Sequence, residues 1–120
     1  MSINREYLRN LKADTERRAL EQRTQEIAQI IINDVIDFAK ISTKHHCTIG
    51  VNFYVSELGN DFLKVVEILR NVMKDVSIIF RTHEFDSVVL NKYVEINEPN
   101  KLVLYEDRYD IRYTLCLSWE

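Results

Sequence analysis

Residues 109–119 read YDIRYTLCLSW, and no other run in this 120-residue chain constrains the fold as strongly. Large apolar side chains occupy every second position, and polar or small side chains stand between them. This period of two predicts a strand with one buried face. A shift of one residue would expose every large side chain, so the register of the strand is strongly specified. The set predicted to face inward is Tyr109, Ile111, Tyr113, Leu115, Leu117 and Trp119.

Two further strands and a helix are predicted before this run. Residues 47–55 alternate from Cys47 to Val55, which predicts a strand. Ser56 then follows as a possible cap for a helix whose apolar residues reach Met73 at helical spacing. A second strand is predicted at 76–82, which gives a strand, helix, strand unit.

The remaining runs complete an antiparallel sheet. A loop is predicted at 83–87, followed by strands at 88–96 and 102–105 on either side of a strong turn at 97–100. With the final strand, the total is about five strands. The predicted fold is therefore α+β: a long N-terminal helix, the strand, helix, strand unit and an antiparallel meander, with the helices on one face of the sheet.

The opening third of the chain contains neither proline nor glycine, since the first glycine is Gly50 and the one proline is Pro99. It predicts one long helix or two in succession. Asp14 and Thr15 are both competent helix caps, so a second start there remains open; neither residue breaks a helix, which favours a continuous one. Residues 27–41 carry a wide apolar stripe that belongs to a core.

Residues 12–26 are almost wholly charged or amide-bearing. A helix that is polar all round bridges, projects or finds a partner. We therefore divide the chain into a projecting or partner-binding segment, 1–26, and a single α+β domain, 27–120. Tyr7, Leu8 and Leu11 form an apolar patch beyond the polar run, and we predict that they are interface residues for a protein partner or for self-association.

Composition restricts the class of protein. Hydrophobic residues make up 46% and charged residues 29%, with a net charge of -3, as in a globular domain. No stretch approaches the roughly 20 apolar residues that span a bilayer, and no signal-peptide pattern is present, so we expect an intracellular protein with no membrane association. Cys47 and Cys116 are then expected to be reduced.

Two clusters could carry chemistry. His45, His46 and Cys47 are metal-ligand types, but successive residues of a strand point to opposite faces, so we predict no metal site. The segment 82–87 contains two hydroxyls, an imidazole and two carboxylates. A small enzyme working through His83 and Glu84 is the corresponding alternative. With two glycines in the chain, a phosphate-cradling loop is almost excluded, so we predict no cofactor and a protein that is not an enzyme.

Nucleic-acid binding is a second alternative. Arg5, Arg9 and Lys12 share a helix face, and further arginines follow at Arg17, Arg18 and Arg23. Acidic residues interleaved with them cancel much of the field, and residues 76–120 carry three more acids than bases, so nucleic acid is an unlikely partner. An aromatic platform on the sheet is also conceivable, but core packing is the favoured role of its candidates, Tyr54, Tyr93, Tyr105 and Trp119.

The end of the chain, Leu117, Ser118 and Trp119, together with the order of elements, resembles short uncharacterised proteins of bacteriophages and large DNA viruses. Those proteins often end in an Ile-Ser-Trp strand, and Leu117 takes the place of the isoleucine here. The resemblance implies a location in the host cytoplasm or the virion, and it assigns no role to any residue. We predict a non-enzymatic protein-binding or assembly module, either a virion-associated or a self-associating small structural protein.

Overall fold

The computed structural model describes residues 3–106 and 108–120. A long helix is followed by a sheet interrupted by two short helices. The elements are α1 (Arg5–Ile41), β1 (His46–Gly50), α2 (Asn52–Leu58), a 3-10 turn (Gly59–Asp61), α3 (Phe62–Val72), β2 (Ser77–Asp86), β3 (Lys92–Glu95) and β4 (Ile111–Ser118). The strands lie in the order β1-β4-β2-β3, and every neighbouring pair is antiparallel. The α+β class and the long N-terminal helix are confirmed.

The core lies on one face of this sheet. Leu115 and Leu117 of β4 and Phe80 of β2 are buried there, together with apolar residues of all three helices. The rings of Phe62, Phe80 and Tyr113 pack in series, with centroids 5.8 and 5.9 Å apart. Alternation therefore leaves the opposite face of the sheet without a helical layer.

The sheet of the described residues has four strands, so the prediction of about five was slightly wrong. Residues 102–105 form no strand. Their backbone is held by one side chain instead: the Tyr113 hydroxyl donates to the Val103 carbonyl at 2.9 Å and accepts from the Tyr105 N–H at 3.2 Å. The backbone of a four-residue apolar run can be hydrogen-bonded either by a neighbouring strand or by a side chain, and the periodicity of the run does not distinguish the two.

The first strand ends at Gly50 and not at Val55, because Asn52 redirects the chain. Its amide donates to the Ile111 carbonyl at 2.8 Å and accepts from the Tyr113 N–H at 2.7 Å. Asn52 then begins α2, so Ser56 lies inside a helix and caps nothing. Gly59, with a φ of 59°, ends α2 and divides the single helix that was predicted.

The loop predicted at 83–87 is mostly strand, since β2 continues to Asp86. The reversal lies at residues 87–90, where the Asp86 carboxylate accepts from the N–H groups of Val88 and Val89, both at 3.0 Å. These backbone donors, with Val89 first, lower the pKa of Asp86. Val88 and Val89 are consequently exposed turn residues, and β3 begins at Lys92.

The final strand agrees with its predicted alternation over Ile111–Ser118. Tyr109 lies before the strand and is fully exposed, so its predicted inward position was wrong. Trp119 is half-buried, and its ring meets that of Phe38 edge-on at 6.2 Å. Its backbone N–H donates to the His45 carbonyl at 2.9 Å. The end of the chain is thereby attached to the end of α1.

Candidate interface on the N-terminal helix

Helix α1 is one unbroken helix of 37 residues, which answers the question of a break at Asp14. Asn4 caps it by accepting from the Tyr7 N–H at 2.9 Å. Thr15, the other possible cap, bonds back to the Leu11 carbonyl at 2.9 Å, as a threonine inside a helix does. At about 1.5 Å per residue the helix is about 55 Å long, which accounts for most of the 63 Å long axis of the molecule.

The N-terminal part of this helix projects from the domain. All side chains from Arg5 to Ala19 are exposed, and the first buried residue of α1 is Thr24. We call residues 5–20 the arm. Its base is held by Arg23, whose guanidinium donates to both carboxylate oxygens of Glu57 in α2, at 2.6 and 2.8 Å. These hydrogen bonds raise the pKa of Arg23 and lower that of Glu57.

The three predicted interface residues lie together at the end of the arm. Tyr7 is 37% exposed, Leu8 54% and Leu11 46%. With about 100° of rotation per residue, their mean direction lies roughly 165° around the helix from that of the buried residues Ile27, Ile31 and Val35. The patch therefore faces away from the protein's own core.

A longer seam continues from this patch along the outer side of α1, and sequence reasoning had missed it. Its positions alternate in steps of three and four, the spacing of a coiled-coil seam. They are Leu8, Leu11, Thr15, Arg18, Gln22, Gln25, Gln29, Ile32 and Ile36. Ile36, at the far end, is 46% exposed, whereas Ile32 is half-buried against the core. The 3-4 spacing was the available signal, but the broad apolar stripe at 27–41 obscured it.

The charges of α1 are unevenly distributed along its length. Residues 5–20 contain five basic and three acidic side chains, whereas residues 21–41 contain two basic and four acidic ones. Two basic side chains of the arm form salt bridges within the helix. The nitrogen-to-oxygen distances are 3.9 Å from Lys12 to Glu16 and 3.5 Å from Arg17 to Asp14. The arm is thus mildly basic and the rest of the helix mildly acidic.

The other candidate sites are separated by the fold. His46 and Cys47 point to opposite faces of β1, and the described residues contain no group of three or more potential metal ligands. His83 and Glu84 likewise point to opposite faces of β2. They line different cavities, of about 290 and 420 Å³, so they do not form a catalytic pair.

The uncovered face of the sheet is polar. Arg81 bonds to Glu95 at 2.7 Å, which raises the pKa of Arg81, and Arg112 lies over the Tyr93 ring at 5.7 Å. Tyr93 is the member of the aromatic set that lies on this face, beside Phe85 at 5.2 Å. Because Glu95 neutralises Arg81, little net positive charge remains here to hold a polyanion.

The chain matched no protein-family model, no curated protein and no solved structure. Within the residues that the structure describes, none of the helices has the length and apolar content required to cross a membrane.

Proposed function

We propose that this protein is a non-enzymatic assembly module that self-associates through the arm of α1. One observation carries the proposal. An unbroken helix holds Tyr7, Leu8 and Leu11, each about half exposed, on the side of α1 that faces away from the core. A patch in this position has no access to its own domain.

Burial of these side chains favours a second chain. Complete burial of a leucine is worth roughly 1.5 to 3 kcal/mol, so a half-exposed one still has about half of that to gain. The arm is already helical in the single chain, so it does not have to fold when it docks, which lowers the entropic cost of binding. Apolar anchors on an ordered helix are a common basis for such contacts.

The mass of the full chain in solution tests the proposal. We expect a monomer–dimer equilibrium in sedimentation measurements at concentrations from about 1 µM to 1 mM. Replacement of both Leu8 and Leu11 by Asp is expected to give a folded monomer, since both positions are exposed. A wild-type chain that stays monomeric at about 1 mM without an added partner would contradict self-association.

Salt distinguishes this function from nucleic-acid binding through the basic residues of the arm. Apolar pairing changes little between low and high salt, whereas phosphate binding weakens steeply because counterions are released. We expect the dimer to persist in about 0.5 M salt and the arm to show no salt-sensitive binding to an oligonucleotide. Binding of that kind, lost on mutation of Arg5 and Arg9, would favour the alternative.

A further inference from the structure

We infer that two copies of α1 pair antiparallel, so that the arm of each chain lies on the outer side of the partner's helix near Ile36. This inference rests on the proposed self-association and names the surface that receives the arm. It follows from where apolar and polar residues lie along the seam defined above.

The seam is apolar at both ends and polar in its centre. Leu8 and Leu11 lie at one end and Ile36 at the other, with exposed Gln22, Gln25 and Gln29 between them. A parallel pair would place like ends together, which is also permitted by hydrophobicity alone. The antiparallel pair joins the two leucines of each arm to the exposed Ile36 of the second copy, so both ends of the seam are also covered in this orientation.

Once one pair of residues is matched across the two helices, two-fold symmetry fixes every other pair. Placing Leu8 opposite Ile36 puts the two-fold axis at Gln22, because that residue lies midway between them. Thr15 then faces Gln29, and the two Gln22 amides face each other, so polar groups meet polar groups in the centre of the seam. Leu11 comes to the height of Asn33, one residue from Ile32 of the second copy. The contact extends from residue 8 to residue 36, a rise of about 42 Å at 1.5 Å per residue. It is isologous and closed, and so it yields a dimer and not a filament.

Charge favours the same orientation. The mildly basic arm lies along the mildly acidic half of the partner's α1 in the antiparallel pair, but along the other basic arm in a parallel pair. At this register Arg5 lies within two residues, about 3 Å, of the height of Asp37 of the second copy, and both lie on the same flank of the seam. The two sheet domains lie on the outer sides of the helix pair, because the buried residues Ile27, Ile31 and Val35 lie on the side of α1 away from the seam. Ile32, at the edge of the seam, also touches the core of its own chain.

Cysteine cross-linking in the full chain tests the orientation. The variants Leu8→Cys and Ile36→Cys are prepared in a Cys116→Ser background, because Cys116 is half-buried while Cys47 is buried. We expect the two variants mixed under mild oxidation to form a disulfide-linked heterodimer at least tenfold faster than Leu8→Cys alone. Asp34→Cys is the matched control for Ile36→Cys: it is exposed and two residues away, but about 160° around the helix.

Each outcome has a distinct meaning. Rapid linking of Leu8→Cys to itself, with dimers seen by mass, would overturn the antiparallel pairing and leave the proposed function intact. Equal linking of Leu8→Cys to Asp34→Cys and to Ile36→Cys would overturn it as well. If mass measurements detect no dimer, both the antiparallel pairing and the proposed self-association are contradicted.

A second measurement needs no disulfide. Ile36→Asp is expected to raise the dissociation constant as much as the double aspartate change in the arm, although the two sites are about 42 Å apart on one helix. The charge exchange Asp37→Arg is expected to weaken the dimer, and Arg5→Glu in the same chain is expected to restore it. A dimer unaffected by Ile36→Asp would contradict the assignment of the docking surface.

Discussion

Replacement of both Leu8 and Leu11 by Ala is expected to separate assembly from folding. The two side chains are 54% and 46% exposed in the single chain, so pairing can bury about half of each. At roughly 1.5 to 3 kcal/mol for complete burial, each contributes about 0.8 to 1.5 kcal/mol to a dimer. A dimer contains four such side chains, and alanine retains a small part of the contact.

We therefore expect the double variant to lose about 3 kcal/mol of association free energy, or about 150-fold in dissociation constant. Its stability as a monomer should change by less than about 0.5 kcal/mol, because both positions are exposed and alanine is the best helix former. Sedimentation equilibrium measures the first quantity. Urea unfolding below the dissociation constant measures the second.

Leu63→Ala is the matched control for this experiment. Leu63 is an exposed leucine of similar accessibility, 39%, but it lies on α3 and outside the seam. Its replacement should leave the dissociation constant unchanged. An unchanged dissociation constant in the Leu8 and Leu11 variant, or its failure to fold, would refute the reasoning.

Four further predictions concern the domain. A chain beginning at Thr15 should fold with near-native circular dichroism and remain monomeric, since buried residues of α1 start at Thr24; an insoluble or molten product would mean that the arm stabilises the core. Trp119→Ala should cost about 1.5 to 3 kcal/mol in urea unfolding, because a half-buried ring loses Phe38; a loss under about 0.5 kcal/mol would contradict this packing. Tyr113→Phe should cost about 1 to 2 kcal/mol and speed amide exchange at residues 103–105, which lose both hydroxyl bonds; unchanged exchange would contradict that role. Glu57 and Asp110 have lowered pKa values in the fold, chiefly through hydrogen bonds from arginines. The stability they supply is therefore present near neutral pH and is lost as the pH falls below about 4.5. Glu57→Gln should make the free energy of unfolding depend less on pH in this range, and an unchanged dependence would contradict a contribution from Glu57.

Some elements follow from local sequence alone. The alternation at 111–118 was sufficient to predict β4, and the absence of helix breakers before Gly50 favoured a continuous α1 over two helices. Both patterns repeat over many residues, so every position favours the same secondary structure, and tertiary contacts do not alter it. The apolar patch at Tyr7, Leu8 and Leu11 was identified for the same reason.

Short runs were determined by distant partners. Residues 51–55 alternate like a strand, yet Asn52 bonds to the backbone of Ile111 and Tyr113, about 60 positions away, and the chain becomes a helix. The run 102–105 has no strand partner because the Tyr113 hydroxyl occupies its backbone groups. Periodicity over four or five residues favours strand and extended loop almost equally, so the available hydrogen-bond partners decide.

The candidate interface shows the same division. The sequence by itself determined that α1 has an apolar tip and contains no helix breaker, because helix propensity and capping are local. It favoured a continuous helix but left a second start at Asp14 or Thr15 open, and the structure shows one helix. The sequence also left open which side of α1 would be covered, since apolar residues at 27–41 point in several directions. Packing against the rest of the domain, α3 above all, buries Ile27, Ile31 and Val35, and this leaves Ile36 exposed on the same side as Leu8 and Leu11. The tertiary structure decides which face of α1 is buried, because a helix with a wide apolar stripe can bury only part of it in its own domain. The remaining apolar face is left to solvent or to a second chain.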